Sequence, residues 1–172
     1  PDTDEQVVAA TQIWRDKCYD PGPERITCSS ILREGDYRGA IDCYETKAKE
    51  TDDLEKSAQY YLVIAKIYYG ELKRFADSRK YARKALAANP NMGDAYILIG
   101  KLFASSGPLR GPGRGWDSQL VTWPAIDKWR KAKSVDPSVA AAANRLIGRH
   151  SKFMPDVTDI FQPPTKEGNH FT

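Results

Sequence analysis

The parts of this sequence that could do chemistry are three cysteines, two histidines, a few carboxylates close in sequence and a glycine-rich basic loop. Cys18, Cys28 and Cys43 form no C-x-x-C pair, and His150 and His170 lie far from them. The short spacing of thiolates and imidazoles that zinc needs is therefore missing. No cysteine has a histidine in its own segment, and no G-x-S-x-G elbow occurs, so neither nucleophile arrangement is encoded locally. The thiols read first as small buried side chains on helices. One bridge, Cys18–Cys28 or Cys28–Cys43, is the alternative in an oxidising compartment. Asp52, Asp53 and Glu55 fall between helical segments, where carboxylates cap a helix and face water. Asp136 and Ser138 flank Pro137 as a helix stop and N-cap, and Ser105 and Ser106 end a helix. His150 closes an alanine-rich helix, where an imidazole interacts with the carbonyl end. No acid–base constellation emerges. The expectation is a protein without catalytic residues, cofactor or metal.

The loop "GPLRGPGRGWDSQLVTW", Gly107–Trp123, tests that expectation most directly. A P-loop needs Lys-Ser or Lys-Thr after its glycines, and neither follows here. The dinucleotide pattern begins at Gly111 and Gly113 but meets Trp116 where its third glycine belongs. Pro108 and Pro112 also remove amide donors from the backbone that would hold phosphate. The loop reads instead as a turn-rich connection whose Trp116 and Trp123 fold back onto neighbouring helices, with Pro124 in the first turn of the next helix. Arg110, Arg114 and Trp116 form a candidate contact patch on it, because long loops are often functional and Trp and Arg dominate interface hot spots.

The totals bound the remaining choices. A hydrophobic fraction of 41% suffices for a packed core, and a net charge of +3 lacks the basic stripe of a nucleic-acid binder. No apolar run is long enough to span a bilayer, which leaves peripheral membrane association open. The chain begins at Pro1 without Met or a signal-like segment, and reads as a processed or excised piece.

The elements that position these residues follow from periodicity. Tyr61, Ile64, Ala65 and Tyr68 recur at i, i+3, i+4 and i+7, as do Tyr96, Ile99, Gly100 and Phe103. The small members, Ala65 and Gly100, let a neighbouring helix approach. Ser78, Ala82 and Ala85 form the matching small stripe on one partner helix, and Ala125, Trp129 and Ala132 on the next. Pro90 and Pro137 stop those helices. Aligned on their ends, "ARKALAANPNMGDAYILIGKLF" and "WRKAKSVDPSVAAAANRLIGRH" show one helix–turn–helix unit twice.

These units resemble tetratricopeptide repeats. Residues 93–137 match the family pattern at Tyr96, Ile99, Gly100, Phe103, Ala125, Trp129, Ala132 and Pro137. Residues 58–92 match at Tyr61, Ile64, Ala65, Tyr68, Ala85 and Pro90, with Ala82 in place of the usual aromatic and one extra residue in the turn near "GELKRF". A weaker unit, 23–57, carries Gly35, Tyr37, Ala40 and Tyr44, with its first helix over Glu24–Glu34. Residues 5–18 look like one more helix. Roughly a dozen residues are inserted in the third unit, over 104–117. The fold expected is all-α: a solenoid of stacked antiparallel helix pairs across 1–154, a capping helix at 138–150, and an extended C-terminal arm at 155–172. The inserted loop followed by "WPAIDKWRKAKSVDPSV" is similar to a family of Gram-negative bacterial envelope proteins with such repeats. That resemblance implies a periplasmic or outer-membrane-associated setting, with the cytoplasm as the alternative. Relatives carry a loop cysteine and a tail cysteine, and Arg110 stands near the place of the first.

In stacked helix pairs the first helix of each pair lines the concave wall. The residues expected there are Gln59, Leu62, Val63, Lys66 and Tyr69 in the second unit, and Asp94, Ile97, Leu98, Lys101 and Ser105 in the third. Lys66 and Lys101 hold equivalent positions, suited to a carboxylate or simply to a solvated face. The lysine, asparagine and arginine set by which some family members grip chaperone tails is not reproduced, since Leu62 and Ile97 stand where it needs polar residues. The function expected is a non-catalytic scaffold for protein partners within a larger envelope assembly, with no nucleic acid. The alternative is a glycan- or peptide-binding protein that uses the tryptophan-rich loop.

Overall fold

The computed structural model describes residues 27–106 and 120–154. The expectations placed on 5–18, on the arm at 155–172, and on Arg110, Arg114 and Trp116 lie outside those residues. Every regular element among the described residues is helical, and none is a strand. In chain order they are α1 (Cys28–Arg33), α2 (Tyr37–Glu50), α3 (Leu54–Gly70), α4 (Phe75–Ala88), α5 (Gly93–Ala104), α6 (Thr122–Val135) and α7 (Ala140–His150). Short 3-10 turns cover Pro137–Val139 and Ser151–Phe153.

Local chemistry sets the ends of these helices. Thr27 caps α1 through a capping box with Ser30, so α1 begins at Cys28, within the stretch read as a helix over Glu24–Glu34. Gly35 follows it at φ 85°, the left-handed turn that glycine adopts without a Cβ penalty. Asp36 accepts from Gly39 N–H at 2.9 Å to begin α2. Asp53 accepts from Glu55 and Lys56 N–H at 3.0 and 3.1 Å to begin α3, so one member of the acidic cluster is a cap, while Asp52 and Glu55 are exposed. Those bonds, the backbone one to Lys56 first, hold the Asp53 carboxyl below the usual range. Between α3 and α4, Lys73 takes φ 54°. Pro90 and Pro137 stand just beyond α4 and α6, and Pro124 lies in the first turn of α6.

Each helix packs on its neighbours in the chain, most extensively α3 on α4 and α5 on α6, and α3 also touches α5. Two buried clusters result. One joins Ala40, Ile64, Ala82 and Ala85 to Leu98 and Leu102, and the other gathers Ile97, Ile126, Trp129 and Ala143. Helix α5 contributes to both, which explains why so little of it is polar. Ser78 is fully buried and donates to the carbonyl of Ala65 at 2.8 Å. In the next pair Gly100 serves the same close approach: a Cβ there would lie 2.6 Å from Trp129 Cδ1.

The cysteines depart from the first reading. Cys28 and Cys43 form a disulfide joining α1 to α2, with Cα atoms 5.5 Å apart. The reason is geometric: the tight turn at Gly35 folds α2 back on α1, which brings the two Cβ atoms together.

Candidate functional site

The ten residues expected on the concave wall divide into two groups. Leu62, Ile97 and Leu98 are between 5% and 7% exposed and belong to the core, so they offer no surface to a partner. Their burial follows from α3 and α5 each being packed against more than one helix. Gln59, Lys66 and Asp94 are exposed, while Val63, Tyr69, Lys101 and Ser105 are half-buried.

Two cavities open beside these residues. The first, of about 360 Å³, is lined by Leu32, Tyr37, Val63, Lys66, Ile67 and Glu71. The second, of about 300 Å³, is lined by Tyr69, Lys101, Ser105, Leu146, Arg149 and His150, together with Ala104 and Trp129. Apart from Tyr37 and Trp129, every lining residue belongs to α1, α3, α5 or α7 or to the residue that ends one of them.

Polar links cross between these helices. Lys66 Nζ lies 2.9 Å from Asp94 Oδ2, tying α3 to α5 at the surface. Exposed pairs of this kind contribute about 0.2–1 kcal/mol, so the link orders two side chains more than it stabilises the fold. Lys66 is thus engaged, while Lys101, its equivalent, has no carboxylate partner among the described residues. One turn further on, the Tyr69 and Ser105 hydroxyls are 3.3 Å apart. At the other cavity Tyr37 donates to Glu71 at 3.1 Å, and that bond raises the phenol's pKa.

His150 closes α7 at its carbonyl end, and its ring also packs against aromatic side chains. Its ring lies 4.9 Å from that of Trp129 and 6.3 Å from that of Phe153. Burial, reinforced by Arg149 and Lys152, lowers its pKa below the ordinary histidine value. The ring thus packs against aromatic neighbours, while Arg149 and His150 both stand in the last turn of α7.

The cavities are notches that combine apolar side chains with lysine, arginine, glutamate and hydroxyl groups. Leu146, Arg149 and His150 were missed as site residues because α7 was read as a cap alone. The signal was present: Ala143, Leu146, Ile147 and His150 repeat the i, i+3, i+4, i+7 stripe of α3 and α5. Arg110, Arg114 and Trp116 are not among the described residues, whereas Trp123 is half-buried at the start of α6. No helix among the described residues is long and apolar enough to cross a membrane. Comparison with protein-family models and with curated proteins found no match for the chain.

Proposed function

We propose that this chain is a non-catalytic interaction module of tetratricopeptide type, in which α1, α3, α5 and α7 form the inner wall and hold an extended segment of a protein partner. One observation carries the reading. Both cavities are lined mainly by those four helices, and residues expected on the wall from sequence, Val63 and Lys66 in one and Tyr69, Lys101 and Ser105 in the other, border them. The packing order supports a solenoid, since contact is most extensive within the pairs α3–α4 and α5–α6, while α3 also meets α5. The Cys28–Cys43 bridge supports an oxidising compartment, in keeping with a periplasmic or outer-membrane-associated place in an envelope assembly.

Photo-crosslinking tests the reading. A benzophenone side chain is placed at Gln59 or Val63 on the wall, and at Lys80 or Arg83 on α4, which are exposed on the other helix of the pair. One defined protein should be captured from the wall positions in envelope extracts and not from α4. Equal capture from both, or none from the wall, overturns the proposal.

A further inference from the structure

The geometry points to a carboxylate-binding subsite in the second cavity, where Lys101, Arg149 and the Tyr69–Ser105 hydroxyl pair receive a glutamate side chain of the partner segment. The inference rests on the inner wall being the partner surface. Three observations converge on it.

The first is charge. Lys101 and Arg149 border the cavity from α5 and α7, and among the described residues no carboxylate lines it and neither cation forms an ion pair. The contrast with Lys66, held by Asp94 at 2.9 Å, is direct. The depressed pKa of His150, to which Arg149 and Lys152 contribute after burial, reports the same positive field.

The second is donor capacity. Tyr69 and Ser105 together carry two hydroxyl protons, and their mutual 3.3 Å contact uses one. The other remains to donate to an oxyanion between the two cations.

The third selects the anion. Lys101 and Arg149 share the cavity with apolar side chains, so it suits an anion carried on an aliphatic stem, which inorganic phosphate lacks. A cavity of about 300 Å³ with Ala104 and Leu146 on its wall also accommodates a methylene stem behind the charged group.

The test titrates N-acetylglutamate amide into the isotopically labelled full chain and follows the amide resonances of Lys101, Ser105, Arg149 and His150. The neutral N-acetylglutamine amide, N-acetylleucine with its terminal carboxylate, and inorganic phosphate are titrated alongside. Saturable shifts confined to the cavity with the glutamate derivative, weaker with each of the others, support the proposal. The double substitution Lys101→Met with Arg149→Met should lower that affinity at least about tenfold, because a hydrogen bond to a charged group contributes about 1.5–3 kcal/mol. Circular dichroism checks that the variant keeps its helices, and the milder Lys101→Gln should weaken binding in the same direction. Absence of saturable shifts, equal response to the glutamine derivative, a preference for phosphate or for the terminal carboxylate, or binding retained in the double variant would each overturn it. If wall-specific crosslinks persist while the glutamate derivative fails, only this subsite is lost. If the subsite binds and no partner is captured, the scaffold reading is the one that fails.

Discussion

The indole Nε1 of Trp129 donates to the carbonyl of Ile97 at 3.2 Å, and the space beside Gly100 is what admits the ring. Trp129 is fully buried, so its one polar atom needs this partner. The sequence pattern read Gly100 as the position that lets a neighbouring helix approach, and Trp129 as part of the stripe on that helix. The bond explains why the aromatic is a tryptophan with a polar edge turned to the backbone.

Gly100→Ala should destabilise the protein. The new Cβ would lie 2.6 and 2.8 Å from Trp129 Cδ1 and Cε2, which forces the ring or the helix to move. Overpacking of this kind costs roughly 1–3 kcal/mol. The helical preference for alanine over glycine offsets at most about 1 kcal/mol. The same substitution in a Trp129→Leu background should cost less, so a double-mutant cycle by chemical denaturation should show coupling. Additive effects would mean the two residues are not in the contact described.

What could be read in advance follows from how local each determinant is. The stripes at Tyr61–Tyr68 and Tyr96–Phe103, the stops at Pro90 and Pro137 and the cap at Asp53 depend on a few neighbouring residues, and the structure has them. The burial of Leu62, Ile97 and Leu98 depends on how many helices surround α3 and α5, which one helix's periodicity does not encode. The disulfide likewise depended on a fold-back at Gly35 that brings Cys43, and not another residue, beside Cys28. The second cavity needed α3, α5 and α7 together, and its Arg149 and His150 come from a helix whose stripe was visible but was assigned to capping.

The Cys28–Cys43 bridge should stabilise the amino-terminal hairpin well beyond what its packing provides. Helix α1 has six residues, too few to persist alone. The cysteines are 15 residues apart, and closing a loop of that length stabilises the folded state by about 3 kcal/mol in the chain-entropy account. Replacing both cysteines with serine, or adding a reductant, should lower the denaturation midpoint by a corresponding amount. Amide exchange should accelerate first in α1 and in the α2 residues packed on it. An unchanged midpoint under reduction would show that the bridge constrains nothing.

Lys73 offers a stabilising substitution. It holds φ 54°, while Arg74 N–H closes the turn onto the Tyr68 carbonyl at 2.8 Å. A left-handed conformation costs a non-glycine residue roughly 1–2 kcal/mol. Glycine gives back part of that through its greater freedom when unfolded. Lys73→Gly should therefore raise stability by about 0.5–1 kcal/mol, read as a higher melting temperature. Lys73→Val, with a branched Cβ in the same conformation, should lower it. If both substitutions act in the same direction, the turn does not require this backbone geometry.

The Tyr81–Glu45 pair sets a pH dependence on the alkaline side. Tyr81 is 8% exposed and donates to Glu45 Oε2 at 3.1 Å. Burial first, and then the Glu45 carboxylate, push its phenol up to about 12 from the ordinary 10.0. Because the folded value is the higher one, the folded state holds this proton more tightly. The associated stability is fully present below pH 10.0 and is lost as pH rises toward about 12. Tyr81→Phe should flatten the fall in stability over that range and remove one late-ionising phenol from the absorbance titration. Tyr44 and Tyr68 are also raised, chiefly by burial, so the slope should shrink without vanishing. Glu45→Gln should bring the Tyr81 titration back toward its ordinary range while leaving the part due to burial. A Tyr81 that ionises alongside exposed tyrosines in the folded protein would contradict the bond and the burial together.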